Sequence, residues 1–500
     1  MSRKTTTFAL GIATALMVAV AVSRADASDT NRASPPVSAV SIADYPAERT
    51  IRQSLEIGGK SFNYRVTAGA IPLADESGRT VAAVTFIAYL LEGSATDSRP
   101  VTFAMNGGPG NASANLNAGG IGPKRLVFDP TSSRVPQWVD NHDSWLPFTD
   151  LVFIDPVGTG FSRSFLPPER SRKDFYTYDT DIAYLSQALF DWLLRHGRMA
   201  SEKHLVGESY SGYRGPRIIE YLQRQLDTPF AGLVLVSPLL NQDQSKGIDT
   251  LPSPIPWIAT LPTAAAAELE RHGKLSPSAM ASVEEYARSE YAVALLDGWR
   301  HPDRLTGLVD KLIPLTGLSR EYLTQTGGRV EPHTYLQEIY RRDGKLANYY
   351  DVNVSYPEPF PVPNDDDSHF EMLIDTTAPE RGPGVADFIS RVVGWLPPWR
   401  YVAYSRDVNR AFVWARGTDE NESYSALRRI LVENPRLKVL VAHGYTDIAC
   451  PYFADVMALD QIPAGAGRNE VRIGVYPGGH MFYNRPESLA TFTADARGNY

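Results

Sequence analysis

The stretch Leu205-Val206-Gly207-Glu208-Ser209-Tyr210-Ser211-Gly212 decides how the rest of the chain is read. A short apolar run leads into it, and a helix-like segment from Tyr213 to Arg224 follows. A serine among small residues at a strand-to-helix junction suits a sharp turn that lifts its hydroxyl clear of a sheet. By itself the pattern is weak, because glycine and serine are common in turns. Two downstream residues strengthen it: Asp447 in His443-Gly444-Tyr445-Thr446-Asp447, and His480 in Pro477-Gly478-Gly479-His480-Met481. A hydroxyl, an imidazole and a carboxylate are the parts of a nucleophile activated by an oriented base. Ser209 is the candidate nucleophile. His480 is the candidate base and later acid, and Asp447 would fix its tautomer.

Around this stretch lie short apolar runs at 101–105, 150–154, 203–206, 232–237, 437–442 and 471–476. Each has the length of a buried parallel strand. Residues 51–92 also read as β, with alternation at 60–67 and a long β-branched and aromatic run at 80–91. Between the runs, residues 181–196 place Ile182, Leu185, Leu189, Trp192 and Leu193 on one helical face. The alternation predicts an α/β fold: a central, mostly parallel sheet with helices on both faces. It breaks between about 242 and 399, where helix-like segments at 264–272 and 277–296 alternate with proline-rich turns such as 359–367. We read 46–241 and 400–500 as two parts of one core, and 242–399 as an inserted, mainly helical cap over the carboxyl edge of the sheet. A separately folding domain is the alternative.

Composition narrows the setting. The 500 residues carry a net charge of −8 and a pI near 5.7, with no basic excess of the kind nucleic acid requires. Arg3 and Lys4 precede an apolar stretch at 8–22, and Ala25-Asp26-Ala27 offers a cleavage site. Residues 1–27 therefore read as a cleavable signal peptide and 28–45 as a mobile arm; an uncleaved anchor is the alternative. Cys450 is the single cysteine, so no intramolecular disulfide forms. Export without disulfides fits a bacterial periplasmic or secreted protein with no membrane span after cleavage. The sequons at Asn111, Asn353 and Asn421 are then chance matches. The nine histidines include no H-E-x-x-H arrangement, and there is no P-loop or dinucleotide fingerprint. No metal and no cofactor is expected. His369 beside Asp365-Asp366-Asp367 reads as a solvated acidic loop.

A second glycine-rich block, Asn106-Gly107-Gly108-Pro109-Gly110, directly follows the run ending at Met105. Glycine lets peptide N–H groups approach a ligand closely. The N–H groups of Gly108 and Tyr210 are the candidate oxyanion hole. Together with Phe153-Ile154-Asp155-Pro156-Val157-Gly158-Thr159-Gly160-Phe161-Ser162 and the segments around Ser209, Asp447 and His480, this block resembles the signature segments of the serine carboxypeptidase family, in the same order.

That resemblance implies an α/β-hydrolase fold and release of C-terminal residues from peptides with a free carboxylate. It also implies that the Asn106 side chain and the Gly107 N–H bind that carboxylate. Glu208 would repel it when ionised, and would donate a hydrogen bond to it when protonated. Peptidase activity is therefore expected to strengthen at acid pH, unless Glu208 is a salt-bridged scaffold residue. The chain departs from the family's pattern at four places. Asn111 replaces a disulfide cysteine, and Gly120, two residues before Gly122-Pro123, replaces a glutamate that partners the carboxyl at Glu208. Ser211 replaces alanine after the elbow tyrosine, and Pro451 follows Cys450 where asparagine is usual. An acyltransferase or esterase using the same three residues is the second reading, and a non-catalytic binding protein the third.

Overall fold

The computed structural model describes residues 40–93, 99–127, 136–238, 240, 253–358, 381–414, 422–463, 465 and 470–500. The signal segment, most of the arm, the start of the cap, the 359–367 loop with His369, and Asn421 lie outside them. Among the described residues, ten strands form the central sheet. They are β1 (Arg49–Ile57), β2 (Lys60–Ala74), β3 (Thr80–Leu91), β4 (Val101–Met105), β7 (Asp150–Asp155), β8 (Arg163–Ser164), β9 (Lys203–Glu208), β10 (Gly232–Val236), β13 (Lys438–Gly444) and β14 (Val471–Tyr476). Two small hairpins, β5 (Lys124–Val127) with β6 (Gln137–Asp140) and β11 (Lys345–Ala347) with β12 (Ser355–Pro357), stand apart.

The order β1-β2-β3-β7-β4-β9-β10-β13-β14 is antiparallel as far as β7 and parallel from there on. This is an α/β-hydrolase arrangement, mixed at one end and parallel where the candidate residues lie. The parallel strands β4, β9 and β10 are buried at every position, because helices cover both faces. One face packs the helices Tyr178–Arg195, Tyr210–Gln225 and Glu422–Glu433. The predicted apolar stripe of the first, Ile182 to Leu193, is its buried side. The helix Pro486–Arg497 packs on the opposite face.

The described part of the insertion is mainly helical, with helices Ile255–Arg271, Pro277–Tyr286, Pro302–Thr316 and shorter ones around their own apolar cluster. That cluster is continuous with the core through Ile448, Tyr452 and Phe453, from the segment just after Asp447. Cap and sheet belong to one compact unit, Val40–Tyr500. Residues 381–399 behave differently from the rest of the insertion. Val385, Phe388, Ile389, Val393 and Trp395 pack on the sheet, and Trp395 and Trp399 flank Tyr45.

Candidate active site

β9 ends at Glu208, and Ser209 takes φ 57° and ψ −120° before the helix Tyr210–Gln225 begins. A non-glycine residue there is strained by about 1–3 kcal/mol. Its surroundings over-determine it. Ser209 N donates to Val236 O at 2.9 Å, which ties the turn to β10. A Cβ on Gly207 would collide with the Ser211 carbonyl, and one on Gly212 with Pro238. The flanking glycines are thus required by close approach.

Beneath the turn lies a buried network that the sequence does not announce. Arg214 Nη1 pairs with Asp181 Oδ2 at 2.7 Å, and Tyr210 donates its hydroxyl to the same oxygen at 2.9 Å. Arg214 Nη2 also donates to Ser211 Oγ at 2.8 Å, and Ser211 donates to the Asn106 carbonyl at 2.5 Å. Alanine at 211 would lack that last bond, so this departure couples the elbow to the 106–110 loop.

Asp447 and His480 leave the carboxyl ends of the adjacent parallel strands β13 and β14. His480 Nδ1 lies 2.8 Å from Asp447 Oδ2, and both side chains are buried. Cys450 N donates to Asp447 Oδ1 at 3.1 Å, so both carboxylate oxygens are engaged. Burial pulls the His480 pKa down, but Asp447 and then Glu208 outweigh it and hold the imidazole above its ordinary value. Among the described residues, no hydrogen bond joins Ser209 Oγ to His480. The aspartate–histidine contact is formed and the serine–histidine contact is not, a looseness common in such sites without substrate.

Insertion residues clamp the two loops. His480 N donates to Tyr350 O at 2.6 Å, and the two rings lie 4.9 Å apart. Thr446 donates its hydroxyl to Asp351 Oδ1 at 2.7 Å, and Arg485 ties Asp351 to Glu270.

The glycine-rich loop sits directly against the elbow. A Cβ on Gly107 would overlap the Tyr210 nitrogen and the Glu208 carbonyl, so only glycine permits the approach. Gly108 follows with φ 108°. Asn106 Oδ1 accepts from Leu116 N at 3.0 Å, while its Nδ2 is buried beside the Glu208 carboxyl and the Tyr483 hydroxyl without a well-formed hydrogen bond.

Glu208 is 4% exposed and its Oε2 accepts from the Tyr483 hydroxyl at 2.6 Å. Burial pushes its pKa up, against His480, the Tyr483 hydroxyl, the Asn106 amide and Arg381. No salt bridge holds it among the described residues, unlike the scaffold reading. The space beside Gly120 is filled by the Tyr483 ring, which a Cβ there would meet at 3.4 Å. A tyrosine three residues after His480 thus partners Glu208. The sequence carries no spacing signal for it.

Asp447, Cys450 and His480 bring their ligand atoms within 4.8 Å of one another. Two of the three already bond each other, and burial pushes the Cys450 thiol well up, so thiolate coordination is disfavoured.

Residues 31–253 match the family model described as serine carboxypeptidase. The likeness to that family thus extends over somewhat less than half of the chain. Among relatives, it is 28% identical over 165 residues to serine carboxypeptidase-like 9 of Arabidopsis thaliana, covering 32% of this chain and 35% of that one. It is 26% identical over 226 residues to a pheromone-processing carboxypeptidase of Talaromyces stipitatus, covering 43% and 33%. The chain thus spans about a third of the length of the curated relatives it matches. A prohormone-processing carboxypeptidase from Saccharomyces cerevisiae superposes over 87% of this chain and 91% of its own, with a TM-score of 0.53 and 15% identity, a likeness of fold. The matched family segment holds Asn106, Gly107, Gly108, Glu208, Ser209 and Tyr210. Asp447 and His480 lie beyond it and rest on their geometry.

Proposed function

We propose that this chain is a member of the serine carboxypeptidase family and a serine-type carboxypeptidase that releases C-terminal residues from peptides through an acyl-enzyme. The observation that carries the reading is the pairing of two features. A strained serine stands near a buried aspartate–histidine contact, and the wall beside it presents a buried carboxyl and a buried amide donor. The second feature suits a substrate with a free carboxylate next to the scissile bond.

In the first step Ser209 Oγ attacks the scissile carbonyl while His480 Nε2 takes its proton. Asp447 holds Nδ1–H and stabilises the imidazolium. The N–H groups of Gly108 and Tyr210 stabilise the tetrahedral oxyanion, the latter at a helix N-terminus. His480 then protonates the departing amine. Water, deprotonated by His480, hydrolyses the acyl-enzyme and returns the hydroxyl to Ser209. Asn106, Gly107 and protonated Glu208 hold the carboxylate of the leaving residue.

The N-terminal pattern supports export to a bacterial periplasm or medium, with the mature chain starting near Ser28. Sequencing the N-terminus of secreted protein tests this, and an intact Met1 would sink it. No described helix is long and apolar enough to cross a membrane.

The test of activity is hydrolysis of a blocked dipeptide, Z-Phe-Leu, against its C-terminal amide from pH 4 to 8. Preference for the free acid is expected. Equal turnover of acid and amide, or turnover of esters alone, would replace this reading with an esterase or acyltransferase.

A further inference from the structure

Burying a guanidinium without a carboxylate partner is costly, and one such group lies beside the candidate site. Arg381 opens the short helix Arg381–Asp387 and is 5% exposed. Its Nη2 donates to Asn484 Oδ1 at 2.7 Å, and Nη1 reaches Asn115 Oδ1 at 3.5 Å. Both acceptors are neutral amides. Nε is buried without a partner. A guanidinium carries five N–H donors, so most of this one's capacity is unspent. Among the described residues no carboxylate forms an ion pair with it.

Its position ties it to the wall of the site. The guanidinium rests against Gly119, where a Cβ would meet Cζ at 2.5 Å and Nη1 at 2.7 Å. The next residue, Gly120, is the one that lacks the family's second carboxyl. The charged and titratable groups bearing on Arg381 are Tyr483, Arg125 and Glu208. Tyr483 is itself bonded to Glu208, the residue before the nucleophile. Arg125 adds a second positive charge and reaches the Asn484 carbonyl at 3.5 Å. The side of the site where glycine stands at 120, and the resemblance leads one to expect a second carboxyl, thus holds a buried cation with unspent donors.

We propose that Arg381 is a substrate-binding residue that takes the free C-terminal carboxylate of the peptide, in place of the carboxyl missing at position 120. This rests on the peptidase reading of the site. A protonated carboxyl binds a carboxylate only while it keeps its proton. A guanidinium stays charged across the physiological range and matches the planar anion with paired N–H bonds. Free-acid recognition therefore persists at neutral pH in this chain.

The experiment measures calorimetric binding of Z-Phe-Leu and of its amide at pH 7 to the Ser209→Ala protein, with and without Arg381→Gln. The glutamine variant is expected to weaken the acid by roughly tenfold to a hundredfold and to leave the amide unchanged. Arg381→Lys, which keeps the charge but not the fork, should fall between; it also serves if the glutamine variant does not fold. Unchanged acid binding, or equal weakening of acid and amide, would overturn the proposal. The two readings separate with Ser209 intact. Peptide turnover with an acid preference untouched by Arg381→Gln sinks the Arg381 role alone. Arg381-dependent acid binding without any peptide turnover sinks the peptidase reading alone.

Discussion

The two halves of this site are built on different principles. The Ser209–Asp447–His480 half sits at the carboxyl ends of β9, β13 and β14, where rigid parallel strands position each residue. Its departures from the family pattern are few, and Ser211 turns one into an extra bond to the Asn106 carbonyl. The half proposed to face the leaving residue relies on other groups. Glycine stands at 120, the Tyr483 ring fills the space, and Arg381 brings a buried positive charge. The machinery for breaking the bond tolerates little change, because nucleophile, base and oxyanion donors must meet one geometry. Recognition of a carboxylate can be met by any donor set of suitable charge.

The largest effect expected on either half is at the nucleophile. Ser209→Ala should lower kcat on Z-Phe-Leu by roughly 10⁵–10⁶-fold, read by product release under single-turnover conditions. Asp447→Asn should cost about 10⁴-fold, through the wrong imidazole tautomer. Retention of activity in either variant would break the account of the catalytic half.

Mutations on the other half should act through pH. His480 must be neutral to act as base and its pKa is raised, so kcat/KM falls as pH drops through that value. Glu208 must be protonated to donate, and its raised pKa keeps it so further up the scale, so kcat/KM falls again as pH rises through it. The two groups face each other, so the limbs belong to the pair. Glu208→Gln should abolish the high-pH limb. It should also shift the low-pH limb downward, because the carboxylate that helps raise His480 is gone. A profile unchanged by the substitution would assign Glu208 to scaffold. Tyr483→Phe removes a donor that favours the ionised carboxyl, so the high-pH limb should move upward.

Smallest in its effect on turnover, and confined to stability, is the network under the elbow. Asp181→Ala leaves Arg214 buried and unpaired and should cost about 3–5 kcal/mol in urea unfolding. Ser211→Ala, losing the bond it donates to the Asn106 carbonyl and the one it accepts from Arg214, should cost about 1–3 kcal/mol. If Ser211→Ala proves neutral, the bond between elbow and glycine loop contributes nothing measurable.

The sequence by itself determined the sheet and the strand-end placing of Ser209, Asp447 and His480, because both are written in local signals. The apolar runs from 101 to 476 are the lengths of buried strands, and each is a strand of the central sheet. Gly107, Gly207 and Gly212 are legible because only a residue without a Cβ fits where two backbones touch. Tertiary structure alone decided the rest. Tyr350 and Asp351, from the insertion, reach the His480 and Asp447 loops across about a hundred residues of sequence. Asp181 and Arg214 meet between two helices, and Arg381 and Tyr483 meet at the carboxylate wall. A buried charge or hydroxyl has no periodicity of its own. Its partner is set by which surfaces the fold brings together, and nothing in residue spacing records that.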